Sequence, residues 1–316
     1  MNIVFFGTPE FSLPFLKALH ADEDILVSAV VCQPDKPAGR GNKLTPPPTK
    51  VYAEEHGIEV IQGLKSIPPL FRGGLGGVTR PDAFVVVAYG KIIPEAILNI
   101  PRLGTVNVHP SLLPKYRGPS PMQAAIADGE TETGVSIMLL DAEMDHGPIL
   151  DQVKITLAPD ESLESLQNKV HNVGAPLLVN TLKRLDANKI KAKDQDHDRA
   201  TFCKLLTRED GKIDWTQPAE VIDRQIRAFQ PWPGTWTMLD NKRLKITKAV
   251  LPLFKGELEG VSALAPGQIS IMNNRLFIGT GSSTLEITEL QPEGKQKMPA
   301  HDFLSGHPNI GNKSLS

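Results

Sequence analysis

A chain of 316 residues is longer than one hydrophobic core usually organises, so two domains are expected. With 40% hydrophobic and 22% charged residues it has the composition of a soluble globular protein, no apolar run long enough to span a bilayer, and a net charge of −2 that demands no polyanionic partner. Two cysteines far apart, Cys32 and Cys203, exclude a disulfide framework and fit a reducing, cytoplasmic setting.

The first stretch, "MNIVFFGTPEF", lacks a basic n-region and reads as a strand and turn rather than a leader. "NIVFF", "ILVSAVV" and "AFVVVAY" are short, nearly continuous apolar runs, as buried parallel strands are. Between them "FSLPFLKALH" and "PPTKVYAEEHG" predict crossover helices, the second closed by Gly57. Gly73, Gly74, Gly76 and Gly77 predict a short or broken helix, since each costs ~1 kcal/mol against Ala. "PILDQVKI" is a further strand, followed by a long helix whose stripe is Leu163, Leu166, Val170, Val173, Leu177, Leu182 and Leu185. The front of the chain, 1–188, is therefore an α/β unit, Rossmann-like and doubly wound, with a mostly parallel sheet and a ligand expected at the carboxyl ends of its strands. Polar residues 189–206 form a linker candidate. From 207 to 316 come one helix, "PAEVIDRQIRAF", and the strand-like runs "TWTML", "RLKITKAV", "GQISIM", "RLFIGT" and "TLEITEL", separated by Asp-Asn and Asn-Asn turns. That pattern predicts a smaller OB-like β-barrel.

Motifs for several chemistries are absent. The first turn holds Gly7 alone where a dinucleotide site needs GxGxxG, and there is no P-loop, HExxH, CxxC or GxSxG. No metal is expected. What remains is "NVHPSLLPKYRG": alternation puts Asn107 and His109 on one face at the end of a strand, with Val106 and Val108 on the other. "LLDAEMDHGPIL" offers three carboxylates, Asp141, Glu143 and Asp145. An amide, an imidazole and a carboxylate suit acyl transfer, with donors for an oxyanion and a carboxylate to orient the ring. The plainer alternative is that Asn107 and His109 form a hydrogen-bonded structural pair.

"NVHPSLLPKYRGPSP" with "ETGVSIMLLDAEMDHGPIL" resembles the folate-dependent formyltransferase family. With "FFGTPEFS", "QPDKPAGRGNKLTPPPTK", "VVVAYGKIIP", "IRAFQPWPGTW" and "LQPEGK" the likeness covers nearly the whole chain and narrows to the members that act on methionyl-tRNA. The resemblance implies 10-formyltetrahydrofolate as donor, and as acceptor the α-amino group of methionyl-initiator tRNA, hence a role in translation initiation. It assigns catalysis to Asn107, His109 and Asp145, the last because it precedes Gly147 in the family's D-x-G pattern. It assigns the folate pocket to Ser111, Leu112, Leu113 and Pro114, with Lys91 and Ile93 enclosing the pteridine. His146 departs from the small or uncharged residue the family has at that position.

The segment 36–50 carries Lys36, Arg40, Lys43 and Lys50 and no acid. In the family such a loop meets the acceptor end of the tRNA, which assigns Lys36, Arg40 and Lys43 to that contact. In the back domain Arg243 and Lys245 share a strand face and are the further tRNA candidates. No membrane and no obligate protein partner are implied. The competing expectations are a formyltransferase for an amino sugar nucleotide, which would leave the back domain dispensable, and a non-catalytic RNA-binding protein.

Overall fold

The computed structural model describes residues 1–38, 43–64, 67, 80–251, 264–307 and 309–316, so Arg40, the Lys43 side chain and the glycines from 73 to 77 lie outside the described residues. The chain divides into two compact units, Met1–Pro121 with Glu132–Thr156 and Gln167–Cys203, and Met122–Thr131 with Leu157–Leu166 and Lys204–Ser316.

In the first unit the strands are β1 (Asn2–Gly7), β2 (Leu26–Cys32), a short ribbon of β3 (Lys36–Ala38) and β4 (Lys43–Thr45), β5 (Glu59–Gln62), β6 (Ala83–Val87), β7 (Thr105–His109), β8 (Glu132–Leu139) and β9 (Ile149–Thr156). The main sheet runs β5-β2-β1-β6-β7-β8-β9. Pairing is parallel from β5 to β7 and antiparallel for β8 and β9. The order reverses between β1 and β6, as in a doubly wound fold. Ile3, Val4, Phe5 and Phe6 are all fully buried, as an interior strand covered on both faces requires.

Helices Leu13–His20 and Pro48–Glu55 are the crossovers, and Gly57 follows the second at φ 69°. Helix Leu163–Asp186 buries Leu166, Val170, Leu178 and Leu182. Leu178, not the expected Leu177, is fully enclosed, because the buried line advances in steps of four from Leu166. Gly174 falls on the same line, and a Cβ there would lie 3.1 Å from Phe15, so its absence lets the helix approach. Residues 189–203 do not leave the unit. Lys193 and Ile149 exchange backbone bonds at 2.8 Å, and Thr201 and Cys203 pair with residues 114–117.

In the second unit an antiparallel sheet runs β10 (Thr235–Leu239), β11 (Lys242–Val250), β14 (Thr284–Pro292), β13 (Arg275–Gly279), β12 (Ile269–Met272), with β15 (Met298–Pro299) on β14. Asp240-Asn241 and Asn273-Asn274 are two-residue hairpin turns with all four φ positive, the geometry that matches strand twist. Residues 313–316 bond to β10 through Met238 and to β12 through Ile269, so pairing continues round the barrel. Helix Ala219–Phe229 sinks Ile222 and Ile226 into the core with Leu244, Ile246, Ile278 and Ile287.

Candidate active site

Strand β7 lies in the sheet interior, paired along its edges with β6 and β8, and all five of its residues are buried. Asn107 and His109 at its carboxyl end are therefore nearly as enclosed as Val106 and Val108, with 8% and 4% of their surface exposed. Burying an amide normally calls for partners. Yet the Asn107 side chain makes no hydrogen bond among the described residues, so its two N–H donors are available to something outside the protein. That donor set suits an oxygen gaining negative charge.

His109 is held differently from the expectation that a carboxylate alone would orient it. Its Nε2 lies 2.9 Å from the carbonyl oxygen of Tyr116. A carbonyl only accepts, so Nε2 carries the hydrogen in the neutral ring and Nδ1 is left as acceptor. Nδ1 faces Asp145 Oδ1 at 3.6 Å, ion-pair distance but beyond a direct hydrogen bond. The other carboxylate oxygen, Oδ2, accepts the Gly118 N–H at 2.8 Å. Tyr116 and Asp145 both adopt left-handed backbone conformations, φ 59° and 49°. These aim the Tyr116 carbonyl and the Asp145 carboxylate at the same imidazole.

The loop carrying Asp145 is fixed from several sides. Gly147 passes so close to β8 that a Cβ there would stand 2.1 Å from the Leu139 carbonyl oxygen. His146 Nδ1 is 2.7 Å from Asp141 Oδ2, and its ring stacks on His197 at 4.1 Å. The second imidazole beside Asp145 is thus engaged by Asp141 and His197. Glu143 gives its N–H to Asp141. Of the three candidate carboxylates, only Asp145 is paired with His109. Burial pushes the Cys203 thiol above its usual range, and its Sγ is a partner for the Ser120 N–H at 3.3 Å, a setting that disfavours a nucleophilic thiolate.

The four residues Ser111, Leu112, Leu113 and Pro114 form a loop tied to β8 and β9. Ser111 donates its hydroxyl to Lys115 O at 2.6 Å, so that group is spent within the loop. Leu113 gives its N–H to Ser136 and accepts from Gln152. Leu112 fills the space beside Gly134 where a Cβ would be 2.5 Å away. The Leu113–Pro114 bond is cis. Near β6, Ile93 is buried with Val86, Tyr89, Ile97 and Leu98, whereas Lys91 is exposed.

Among the tRNA candidates, Lys36 is exposed on β3; Lys50, which closes the same basic segment and is not among them, is engaged at 3.0 Å by Asp35. On β11, Arg243 lies over the Trp236 ring at 4.0 Å, and Arg243 and Lys245 line one cavity of about 440 Å³ with Met238, Gln291 and Glu293. Among the described residues no three His, Cys, Asp or Glu side chains cluster as a metal site, and no described helix is long and apolar enough to cross a membrane.

Sequence reasoning missed Tyr116, whose contribution is a main-chain oxygen, and the Gly118 N–H, for which no residue pattern gives warning. It also missed Arg117 and Gln195. The charge of Arg117 beside the "SLLP" loop was the only available hint.

Residues 1–182 match the family described as Formyl transferase, and residues 205–308 match the Formyl transferase, C-terminal domain. The chain belongs to the formyl transferase family. Proteins named methionyl-tRNA formyltransferase resemble it along almost their whole length. Those of Geobacter metallireducens and Acidobacterium capsulatum are 42% and 44% identical, each over 97% of this chain and over 96% and 97% of their own. Among solved structures, an N-formyltransferase from Helicobacter canadensis, in complex with folinic acid and dTDP-3-aminofucose, has a TM-score of 0.66 at 18% identity, covering 94% of this chain and 99% of that one. HypX from Aquifex aeolicus in complex with tetrahydrofolic acid has a TM-score of 0.62 at 17% identity, covering 96% of this chain and 47% of that one. At those identities the likeness establishes the fold alone.

Proposed function

We propose that this protein transfers a formyl group from 10-formyltetrahydrofolate to the α-amino group of methionyl-initiator tRNA. The observation that carries the chemistry is a buried Asn107 amide with no partner among the described residues, beside an imidazole whose Nδ1 faces a carboxylate. The choice of acceptor rests on relatives of that name at 42–44% identity over 97% of the chain.

The bound folate supplies a formyl carbon attached to a nitrogen leaving group. Asn107 directs its amide hydrogens at the formyl oxygen as the amine adds and charge builds there. His109 takes the proton from the attacking amine on Nδ1, since the Tyr116 carbonyl occupies Nε2. Asp145, 3.6 Å from that nitrogen, stabilises the imidazolium that results and is held for this by the Gly118 N–H. As the tetrahedral adduct collapses, the imidazolium returns its proton to the departing folate nitrogen, the carbon–nitrogen bond to that nitrogen breaks, and tetrahydrofolate leaves with the formyl group now on the amine. The loop Ser111–Pro114, with Lys91 and Ile93, lines the donor's pocket; Ser111 shapes that loop rather than contacting the folate through its hydroxyl. Lys36, Arg40 and Lys43 meet the acceptor end of the tRNA, and Arg243 and Lys245 of the C-terminal domain add phosphate contacts. Residues 1–188 carry the catalysis and 207–316 bind the tRNA, while the stretch between them packs with the first unit as far as Cys203. Both cysteines are free thiols, which supports a cytoplasmic setting.

The test is transfer from 10-formyltetrahydrofolate to methionyl-initiator tRNA, with uncharged tRNA and an amino sugar nucleotide as controls. Transfer is expected to the charged tRNA alone. Comparable kcat/KM with the sugar amine would refute the assignment of acceptor.

A further inference from the structure

We propose that Gln195 is a positioning residue that clamps the turn Asp145-His146-Gly147 and thereby sets the direction of the Asp145 carboxylate; this rests on the roles given above to Asn107, His109 and Asp145. Gln195 is 5% exposed. Its Nε2 donates to the carbonyl oxygens of both Asp145 and Gly147, at 2.8 and 2.7 Å. Its Oε1 accepts from Nε and Nη2 of Arg117, at 3.1 and 2.8 Å. A glutamine amide has two donors and two acceptor sites, and here all four are used. The partners also decide which way the amide faces, since carbonyls only accept and a guanidinium only donates.

The clamp has a definite object. Asp145 sits at φ 49°, a left-handed conformation that is uncommon for residues with side chains and that Asp adopts more readily than most, so contacts on the turn help decide whether it is kept. Gln195 grips the backbone on both sides of His146, spanning the turn from one end to the other. Arg117, itself 4% exposed, steadies the amide and gives a further bond at 2.8 Å to His197 Nδ1. The ring of His197 in turn stacks on His146, between the two gripped carbonyls. The 3.6 Å gap between Asp145 and His109 leaves little tolerance, because a rotation of the turn moves the carboxylate out of range of Nδ1.

Gln195→Glu tests this directly. It keeps the side-chain shape and the acceptor for Arg117, but places a carboxylate oxygen opposite the two carbonyls in place of their donor. Gln195→Met, similar in volume and without any hydrogen bond, is the second variant and carries the test if the first does not fold. For either folded variant kcat should fall about 100-fold, the scale of a small misplacement of a reacting group, while KM for folate and for methionyl-tRNA stays within about twofold. In an Asp145→Asn background the same substitution should change kcat by less than about twofold, because the group it positions has already lost its charge. Parental kcat in a folded Gln195 variant overturns the proposal, and so does a loss of equal size in the Asp145→Asn background. If Asp145→Asn alone retains full kcat, the role given to that carboxylate fails, and positioning through it fails too.

Discussion

Replacing Asn107 with alanine separates catalysis from stability more cleanly than any other change at this site. The side-chain amide is buried but makes no hydrogen bond within the described protein, so truncation breaks none. Since a typical hydrogen bond contributes roughly 0.5–1.5 kcal/mol net, and none is lost, unfolding free energy should stay within about 1 kcal/mol of the parent. The chemical step should suffer far more. Removing one oxyanion donor costs ~3–4 kcal/mol, and at ~1.4 kcal/mol per tenfold this is a fall of roughly 10²–10³ in kcat. Both KM values should hold, because the donor engages charge that develops only as the amine adds. The measurements are turnover at saturating folate and methionyl-tRNA, and urea denaturation of the same preparation. Turnover within about threefold of the parent, in a protein with an unchanged urea midpoint, would remove Asn107 from the mechanism.

Other outcomes can be read in parallel. Gly147→Ala forces a Cβ to within 2.1 Å of the Leu139 carbonyl, so urea denaturation should show a loss of about 1–3 kcal/mol, with kcat reduced as the Asp145 loop shifts. Arg40→Ala should raise KM for methionyl-tRNA far more than KM for folate; equal changes would exclude Arg40 from tRNA recognition. Arg243→Ala should weaken tRNA binding and lower the slope of log affinity against log salt by roughly 0.7–0.9 if one phosphate contact is lost, and an unchanged slope would leave that cation outside the tRNA interface. Asp210 gives a pH test. The Lys204 ammonium beside it, helped by the Thr207 hydroxyl and N–H, holds its carboxyl at about 2, below the ordinary 3.8. A depressed acid contributes stability that is present above 3.8 and is lost as pH falls through about 2. Asp210→Asn should therefore lower Tm at pH 7, and the gap from the parent should narrow as pH drops across that window.

Much of the architecture was legible from local pattern. The buried β1, β2 and β6 appear as nearly continuous apolar runs, and the turns at Asp240-Asn241 and Asn273-Asn274 were marked by residues that tolerate positive φ. Such signals depend on neighbours within a few positions, so no partner need be known to read them. Asn107 and His109 were legible for the same reason, since strand alternation places them on one face. The choice of Asp145 over Asp141 and Glu143 came from family likeness, and spacing alone left it open. Only the tertiary structure decided what holds these groups. The Tyr116 carbonyl on His109 and the Gly118 N–H on Asp145 belong to main-chain atoms whose direction depends on backbone torsions. Gln195 meets Arg117 and Asp145 across separations of 78 and 50 residues. Its stretch looked like a linker because a polar composition is the same whether its hydrogen bonds go to water or to a buried turn. That difference arises when distant segments pack and exclude the solvent between them, and it leaves no periodic trace along the chain.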